Sequence, residues 1–246
     1  MARAAVLGRL SWQVTQIAAV RPETDTARTL VLDVPDWPGH RAGQHVDVRL
    51  TAEDGYTAQR SYSIASAPGG PPALTVQRVD GGEVSPYLVD IAAPGDRFEV
   101  RGPVGGYFTW QPGDHAPVLL VAGGSGVVPL MSMVRARAAA GSRVPFRLLY
   151  STRTPATVIY ADELRRRSRD DHGLDIAYAY TRVAPPEHPR PPGRLDAVLL
   201  AEWGWPTEFA PNCYVCGPTG FVETVANLLV DAGHDPARVR TERFGG

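Results

Sequence analysis

The chain has 246 residues, 43% of them hydrophobic and 21% charged, with a formal net charge of −1. That length exceeds one comfortable core and predicts two domains, while the composition excludes a disordered or fibrous chain. The near-zero charge gives no basis for nucleic acid or a membrane surface as partner. All 25 basic residues are arginine, which excludes Schiff-base chemistry on lysine and leaves arginine to handle any phosphate. No apolar run approaches the roughly 20 residues that span a bilayer. The stretch Ala4 to Leu7 is too short for a signal peptide core, so a cytoplasmic protein is expected.

Short β-rich runs punctuated by Gly and Pro fill the first part of the chain. Strands are expected over Ser11 to Ala18, Arg28 to Val34, His45 to Thr51, Arg60 to Ile64, Leu74 to Val79 and Arg97 to Arg101. Such a series predicts an antiparallel barrel or sandwich, interrupted by one short helix over Ser85 to Ile91. A linker follows at Gln111 to Pro117. Beyond it, apolar runs at Val118 to Ala122, Phe146 to Tyr150, Leu174 to Tyr180, Asn212 to Cys216 and Arg238 to Phe244 read as strands. Helical stretches separate several of them, near Pro129 to Ala140, Ala161 to Arg169 and Thr219 to Ala232. That alternation predicts a parallel sheet with right-handed crossovers. The expected division is a domain over 1–112 and a second over 117–246. The Pro-rich stretch Ala184 to Gly193 reads as a loop.

Four segments carry chemistry. In Arg60-Ser61-Tyr62-Ser63, Arg60 and Tyr62 share a strand face about 6.6 Å apart, with Ser63 on the other. A guanidinium fork there suits phosphate and a phenol ring suits a ribityl chain or ring system. Equally, the run could be an edge strand with a solvated arginine. Gly82-Glu83-Val84-Ser85-Pro86 offers an N-cap in Ser85 and an N1 residue in Pro86, hence a helix start able to face an anion, or simply a capped helix. Gly123-Gly124-Ser125-Gly126-Val127-Val128-Pro129 follows a strand and opens a helix, the context of a dinucleotide pyrophosphate site, although Pro129 stands where a third glycine is usual.

The strand ends at Ser151-Thr152-Arg153 and Thr181-Arg182 offer hydroxyls and arginines in place of a ribose-binding carboxylate. That favours NADP(H) over NAD(H), unless both arginines are solvated loop residues. Cys216-Gly217-Pro218-Thr219-Gly220 ends a strand on the same sheet edge, so the two turns could flank one ligand. Cys213 and Cys216 fall on opposite strand faces with Cα atoms roughly 10 Å apart, beyond disulfide reach. The six histidines show no metal-ligand spacing, so no metal is expected.

In this order the four segments resemble the ferredoxin–NADP reductase family of flavoproteins, from about Gly8 to the C-terminus. The resemblance implies a ferredoxin reductase-like fold, an antiparallel β-barrel FAD domain followed by an α/β parallel-sheet NAD(P) domain. It implies that Arg60, Tyr62 and Ser63 bind FAD, and that Gly82, Val84 and Ser85 receive its pyrophosphate with Arg78 assisting. It further implies that Gly124, Ser125, Gly126 and Pro129 belong to the NAD(P) loop, and that Cys216, Gly217 and Pro218 lie by the nicotinamide. The ending Thr241-Glu242-Arg243-Phe244-Gly245-Gly246 is similar to that of flavohaemoglobin-like and oxygenase-reductase members, which places Glu242 and Phe244 against the flavin. The cysteines of a [2Fe–2S] domain are absent. The expected reaction is hydride transfer from NADPH or NADH to FAD, with Ser63, Cys216 and Glu242 as the catalytic residues, Ser63 and Glu242 tuning the flavin, and electrons leaving to a separate acceptor such as a ferredoxin or partner redox protein. The alternative is a non-enzymatic flavin- or nucleotide-binding subunit of a partner oxidoreductase.

Overall fold

The structure, a computed structural model, describes residues 10–244. Ala4 to Leu7, Gly8 and the final Gly245-Gly246 lie outside the described residues. The first sheet has six antiparallel strands: β1 (Gln13–Thr24), β2 (Ala27–Asp33), β3 (His45–Thr51), β4 (Thr57–Ser63), β5 (Ala73–Gln77) and β6 (Arg97–Val104), in the order β4-β3-β6-β1-β2-β5. A bridge between Ile64 and Leu74 and the bond from Ala65 N–H to the Ala73 carbonyl (2.7 Å) join β4 to β5 and close the barrel. Closure removes the free edges that would otherwise template aggregation. Alternation along the strands fills the interior with Ile17, Leu30, Leu32, Val46, Val48, Leu74, Val76, Phe98 and Val100, and Leu88 and Val89 of the helical turn pack onto the same core. β1 runs six residues past its predicted end and contains Pro22, which is tolerated because β6 pairs only with Gln13 to Gln16 and leaves that stretch with one neighbour.

The second sheet is wholly parallel: β7 (Val118–Gly123), β8 (Phe146–Thr152), β9 (Leu174–Tyr180), β10 (Asn212–Pro218) and β11 (Val239–Phe244), ordered β11-β10-β7-β8-β9. Both faces of its central strand are covered, which is why β7 reads as an unbroken apolar run. Helices α1 (Val127–Ala139), α2 (Ala161–Asp170) and α4 (Thr219–Asp231) fall where the sequence predicts them. A further helix, α3 (Ala197–Trp203), is not anticipated by the sequence reading; Asp196 caps it by accepting the Leu199 N–H at 2.8 Å. Among the described residues no helix is long and apolar enough to cross a membrane.

The two sheets share a core. Phe108 meets Tyr214 edge-on (5.4 Å between centroids) and Trp110 meets Phe146 likewise (5.2 Å). Polar clasps flank them: Arg135 donates to the Ala65 carbonyl at 2.7 Å and Ser132 to the Ser66 carbonyl at 2.7 Å. A buried chain runs from the Tyr160 hydroxyl through Thr75 to Thr29 and on to Glu23. Such satisfied buried networks hold one arrangement of the domains.

Candidate functional site

On the barrel side, β4 lies against β3 with Ser61 opposite Asp47, Tyr62 opposite Val46 and Ser63 opposite His45. Directly opposed residues share a face, so the run divides. Tyr62 packs on the barrel core, and burial, opposed by Arg60, pushes its phenol up to about 12, leaving it neutral. Ser61 donates to Asp47 Oδ1 at 2.6 Å and, with Ser63, belongs to the outer face. Arg60 is half exposed; its guanidinium donates to Glu83 Oε2 at 2.8 Å, and the Tyr56 hydroxyl binds the same carboxylate.

The turn at Gly82 departs from the sequence reading. Ser85 does not cap a helix: its hydroxyl accepts the Val79 N–H at 3.0 Å and is buried. The helix proper is a π-helical turn over Tyr87–Ile91, preceded by Pro86 with helical angles and no side-chain cap. The physical reason is the tight return from β5. A Cβ on Gly82 would stand 3.0 Å from the Val79 carbonyl oxygen and 3.2 Å from Ser85 Oγ, so the glycine leaves room for the serine to reach back to Val79. What this turn offers an anion is backbone, with the Arg60 fork beside Glu83 supplying charge. That donor set fits a flavin pyrophosphate. Arg78 is held between Asp80 (3.6 Å) and Asp90 (3.5 Å).

On the sheet side, chain order reverses between β7 and β10, the switch point where open α/β sheets bind ligands. The two turns are in contact there. A Cβ on Gly126 would lie 2.1 Å from the Cys216 carbonyl oxygen, and one on Gly217 would lie 3.1 Å from Gly123 Cα. Gly124, at φ +56, has open space where its Cβ would be, so a pyrophosphate can approach its backbone. Ser125 lies in the single 3₁₀ turn Gly124–Gly126, and Pro129 sits in the first turn of α1, where its missing N–H costs nothing. Thr181 N–H donates to the Thr152 carbonyl (2.8 Å) and Arg182 N–H to the Arg153 carbonyl (3.0 Å), which sets Arg153 and Arg182 side by side. Both are exposed, and among the described residues neither guanidinium has a side-chain partner.

Cys216 and Cys213 are free, buried thiols that face different cores across the sheet. Burial, reinforced by Glu242, pushes the Cys216 thiol well above its ordinary range, so it is a neutral group and not a nucleophile. Glu242 pairs in register with Cys216, and Phe244 with Pro218; Phe244 packs half-buried against the shared core. The Glu242 side chain reaches the barrel, its Oε1 3.5 Å from His45 Nδ1. Ser63, His45, Glu242 and Cys216 are thus gathered at one junction. The sequence reading missed His45 and Glu83. His45 opens a strand with its side chain on the face opposite to Val46, a signal that gains meaning only once β4 and β11 are placed.

The family profile described as "Oxidoreductase FAD-binding domain" matches residues 13–109, and "Oxidoreductase NAD-binding domain" matches residues 120–227. A ferredoxin–NADP reductase B of Sorangium cellulosum is 34% identical over 238 residues, covering 93% of this chain and 96% of that protein. The ferredoxin reductase component of a Rhodococcus rhodochrous 3-ketosteroid-9-alpha-monooxygenase is 32% identical over 94% of this chain, which spans 64% of that protein's length. Among solved structures, the FAD/NAD binding domain of a Vibrio cholerae nitric oxide dioxygenase superposes with a TM-score of 0.84 at 25% identity, covering 95% of this chain and 99% of that one. A Neisseria gonorrhoeae ferredoxin NADP+ reductase with bound FAD and NADP shares the fold at a TM-score of 0.79 and 20% identity, covering 94% of this chain and 98% of that one. Two nucleotide sites meeting at one junction are what such reductases need, and this chain belongs to the ferredoxin–NADP reductase family of FAD-dependent NAD(P)H oxidoreductases.

Proposed function

We propose that this enzyme takes hydride from NADPH in preference to NADH at the Gly124–Gly126 and Cys216–Pro218 turns, and delivers the electrons to a separate acceptor. The acceptor classes are a ferredoxin, a partner oxidoreductase subunit or a small molecule; the names of the relatives favour a protein. Residues 1–112 form the FAD-binding unit and 117–246 the NAD(P)-binding unit, a division supported by the two profile matches. We place the enzyme in the cytoplasm, a setting with which two buried, unbridged thiols are compatible.

FAD, when bound, supplies acceptance of an electron pair and its stepwise release. The chain's own residues do the positioning. Arg60, assisted by Arg78, neutralises the pyrophosphate over the Gly82, Val84 and Ser85 backbone, and Tyr62 lines the groove. Arg153, Thr181 and Arg182 receive the 2′-phosphate. Cys216, as a small neutral thiol, lets the nicotinamide approach without adding charge, while Ser63 and Glu242 present polar groups at the reacting edge. Phe244 shields that edge from water until the nicotinamide displaces it.

The observation that carries this reading is the contact of Gly126 with Cys216 at the sheet's switch point, one strand from the Glu242 that touches the barrel. An anaerobic titration of the purified protein, with NADPH and separately NADH, tests it. Bleaching of a flavin spectrum by NADPH at lower concentration than NADH is expected. Equal or better bleaching by NADH removes the 2′-phosphate assignment, and colourless protein that FAD cannot reconstitute removes the whole reading.

A further inference from the structure

His45 stands at the start of β3, opposite Ser63 on β4 and Val104 on β6, on the outer face of the barrel. Glu242 arrives from β11, which no local element links to β3. Their side chains are each about three-quarters buried (25% and 23% exposed), with Nδ1 and Oε1 3.5 Å apart. The other Glu242 oxygen, Oε2, is buried with no hydrogen-bond partner. A carboxylate so placed is costly unless positive charge lies beside it.

Among the described residues the only ion-pair partner of Glu242 is His45. Among the described residues, ionisable groups on the neighbouring segments are neutral or engaged elsewhere. Asp47, two residues along β3, is negative and already engages Arg101 of β6 at 2.6 Å and Ser61 of β4. Cys216 of β10 is a neutral thiol. The Tyr107 hydroxyl, from the segment after β6, donates to the Val239 carbonyl at 3.4 Å. Arg240 of β11 donates to the Thr109 carbonyl and to Tyr214.

We propose that His45 is a positioning residue for the nicotinamide step. As imidazolium it pins the Glu242 carboxylate, and with it the end of β11 that carries Phe244, onto the barrel beside Ser63. The inference rests on the reading that nicotinamide enters at Cys216 and Phe244. Two consequences follow from charge and geometry. While His45 is protonated, the end of β11 resists the displacement of Phe244, and a positive group stands near the cationic ring of NADP+. When His45 loses its proton, both obstacles weaken and the freed Glu242 charge favours the oxidised ring.

The pH sense is fixed by the surroundings. The contact with Glu242, chiefly, and Asp47 raise the basicity of His45 against the opposing effect of burial. A histidine raised in this way keeps its brace fully below its ordinary value near 6.5 and loses it as pH rises through the raised folded value.

Two variants of the FAD-loaded protein test this, His45→Gln and Glu242→Gln. The first measurement is the imidazole titration of His45 by NMR, with the resonance assigned by its loss in His45→Gln. Its midpoint is expected to fall in Glu242→Gln; an unchanged midpoint overturns the pair. The second is the Kd of NADP+ against pH, with NAD+ as a control for titration of the 2′-phosphate itself. Wild-type affinity for both is expected to rise about fivefold or more across the His45 titration, while His45→Gln binds tightly at both ends of the range. Parallel pH profiles in wild type and His45→Gln overturn the proposal while leaving the nucleotide site standing. A wild-type protein that binds neither nucleotide at any pH removes the site and this inference together.

Discussion

Gly126 sits directly against Cys216: a Cβ on the glycine would stand 2.1 Å from the cysteine's carbonyl oxygen and 2.8 Å from Gly217 N. Backbone cannot retreat as a flexible side chain can, so this contact admits no larger residue. The glycine has an ordinary helical φ of −59, which makes its requirement one of space and not of conformation. Gly126→Ala must therefore push α1 away from β10. The expected cost is about 1–3 kcal/mol of stability, as for other overpacked cores, together with a marked loss of NADP+ affinity and retained FAD. Calorimetric binding and thermal unfolding of the variant check both; unaltered NADP+ binding would show that the two turns do not act as one site.

Arg153 and Arg182 stand side by side, and among the described residues neither guanidinium has a side-chain partner. Each charge-assisted bond to a 2′-phosphate contributes about 1.5–3 kcal/mol. Arg153→Ala and Arg182→Ala should each lower kcat/KM for NADPH by about tenfold or more, with little change for NADH. Steady-state kinetics with both nucleotides, at fixed ionic strength, decide the matter. A parallel loss for both would place the arginines elsewhere in the mechanism.

Glu83 holds the guanidinium of Arg60 in the site assigned to the flavin pyrophosphate. A bound pyrophosphate must share or replace that carboxylate. Glu83→Gln should accordingly tighten FAD binding several-fold, the more so at low salt, whereas Arg60→Ala should weaken it. Fluorescence titration of apoprotein with FAD distinguishes them. If both variants weaken binding alike, Glu83 orients Arg60 and does not compete for it.

The Cys216 thiol, held neutral by burial, and Cys213, pushed up to about 12 by burial alone, should both resist alkylation in the folded protein. Mass spectrometry after iodoacetamide at neutral pH should find neither modified until denaturant is added. Rapid labelling of Cys216 in the native state would mean that the turn opens far more readily than its packing implies.

The sequence by itself determined the two-sheet architecture and the order of the nucleotide turns. Alternation along His45 to Thr51 and the apolar run along Leu174 to Tyr180, interrupted only by the exposed Asp175, each mark a strand at its observed limits, because burial of one face or of both is written locally into residue order. The separation of Cys213 from Cys216 was legible for the same reason. Helix α3 escaped because seven residues are too few to establish a period. Ser85 was misjudged because a serine before proline looks alike whether its hydroxyl turns forward to cap a helix or back to the Val79 N–H. Only the tertiary structure decided that Ser63 shares a face with His45, that Glu83 engages Arg60, and that Glu242 closes the junction from the last strand. Those contacts depend on which strands become neighbours and how the two sheets dock, and burial of a shared core settles both after local periodicity has nothing more to say.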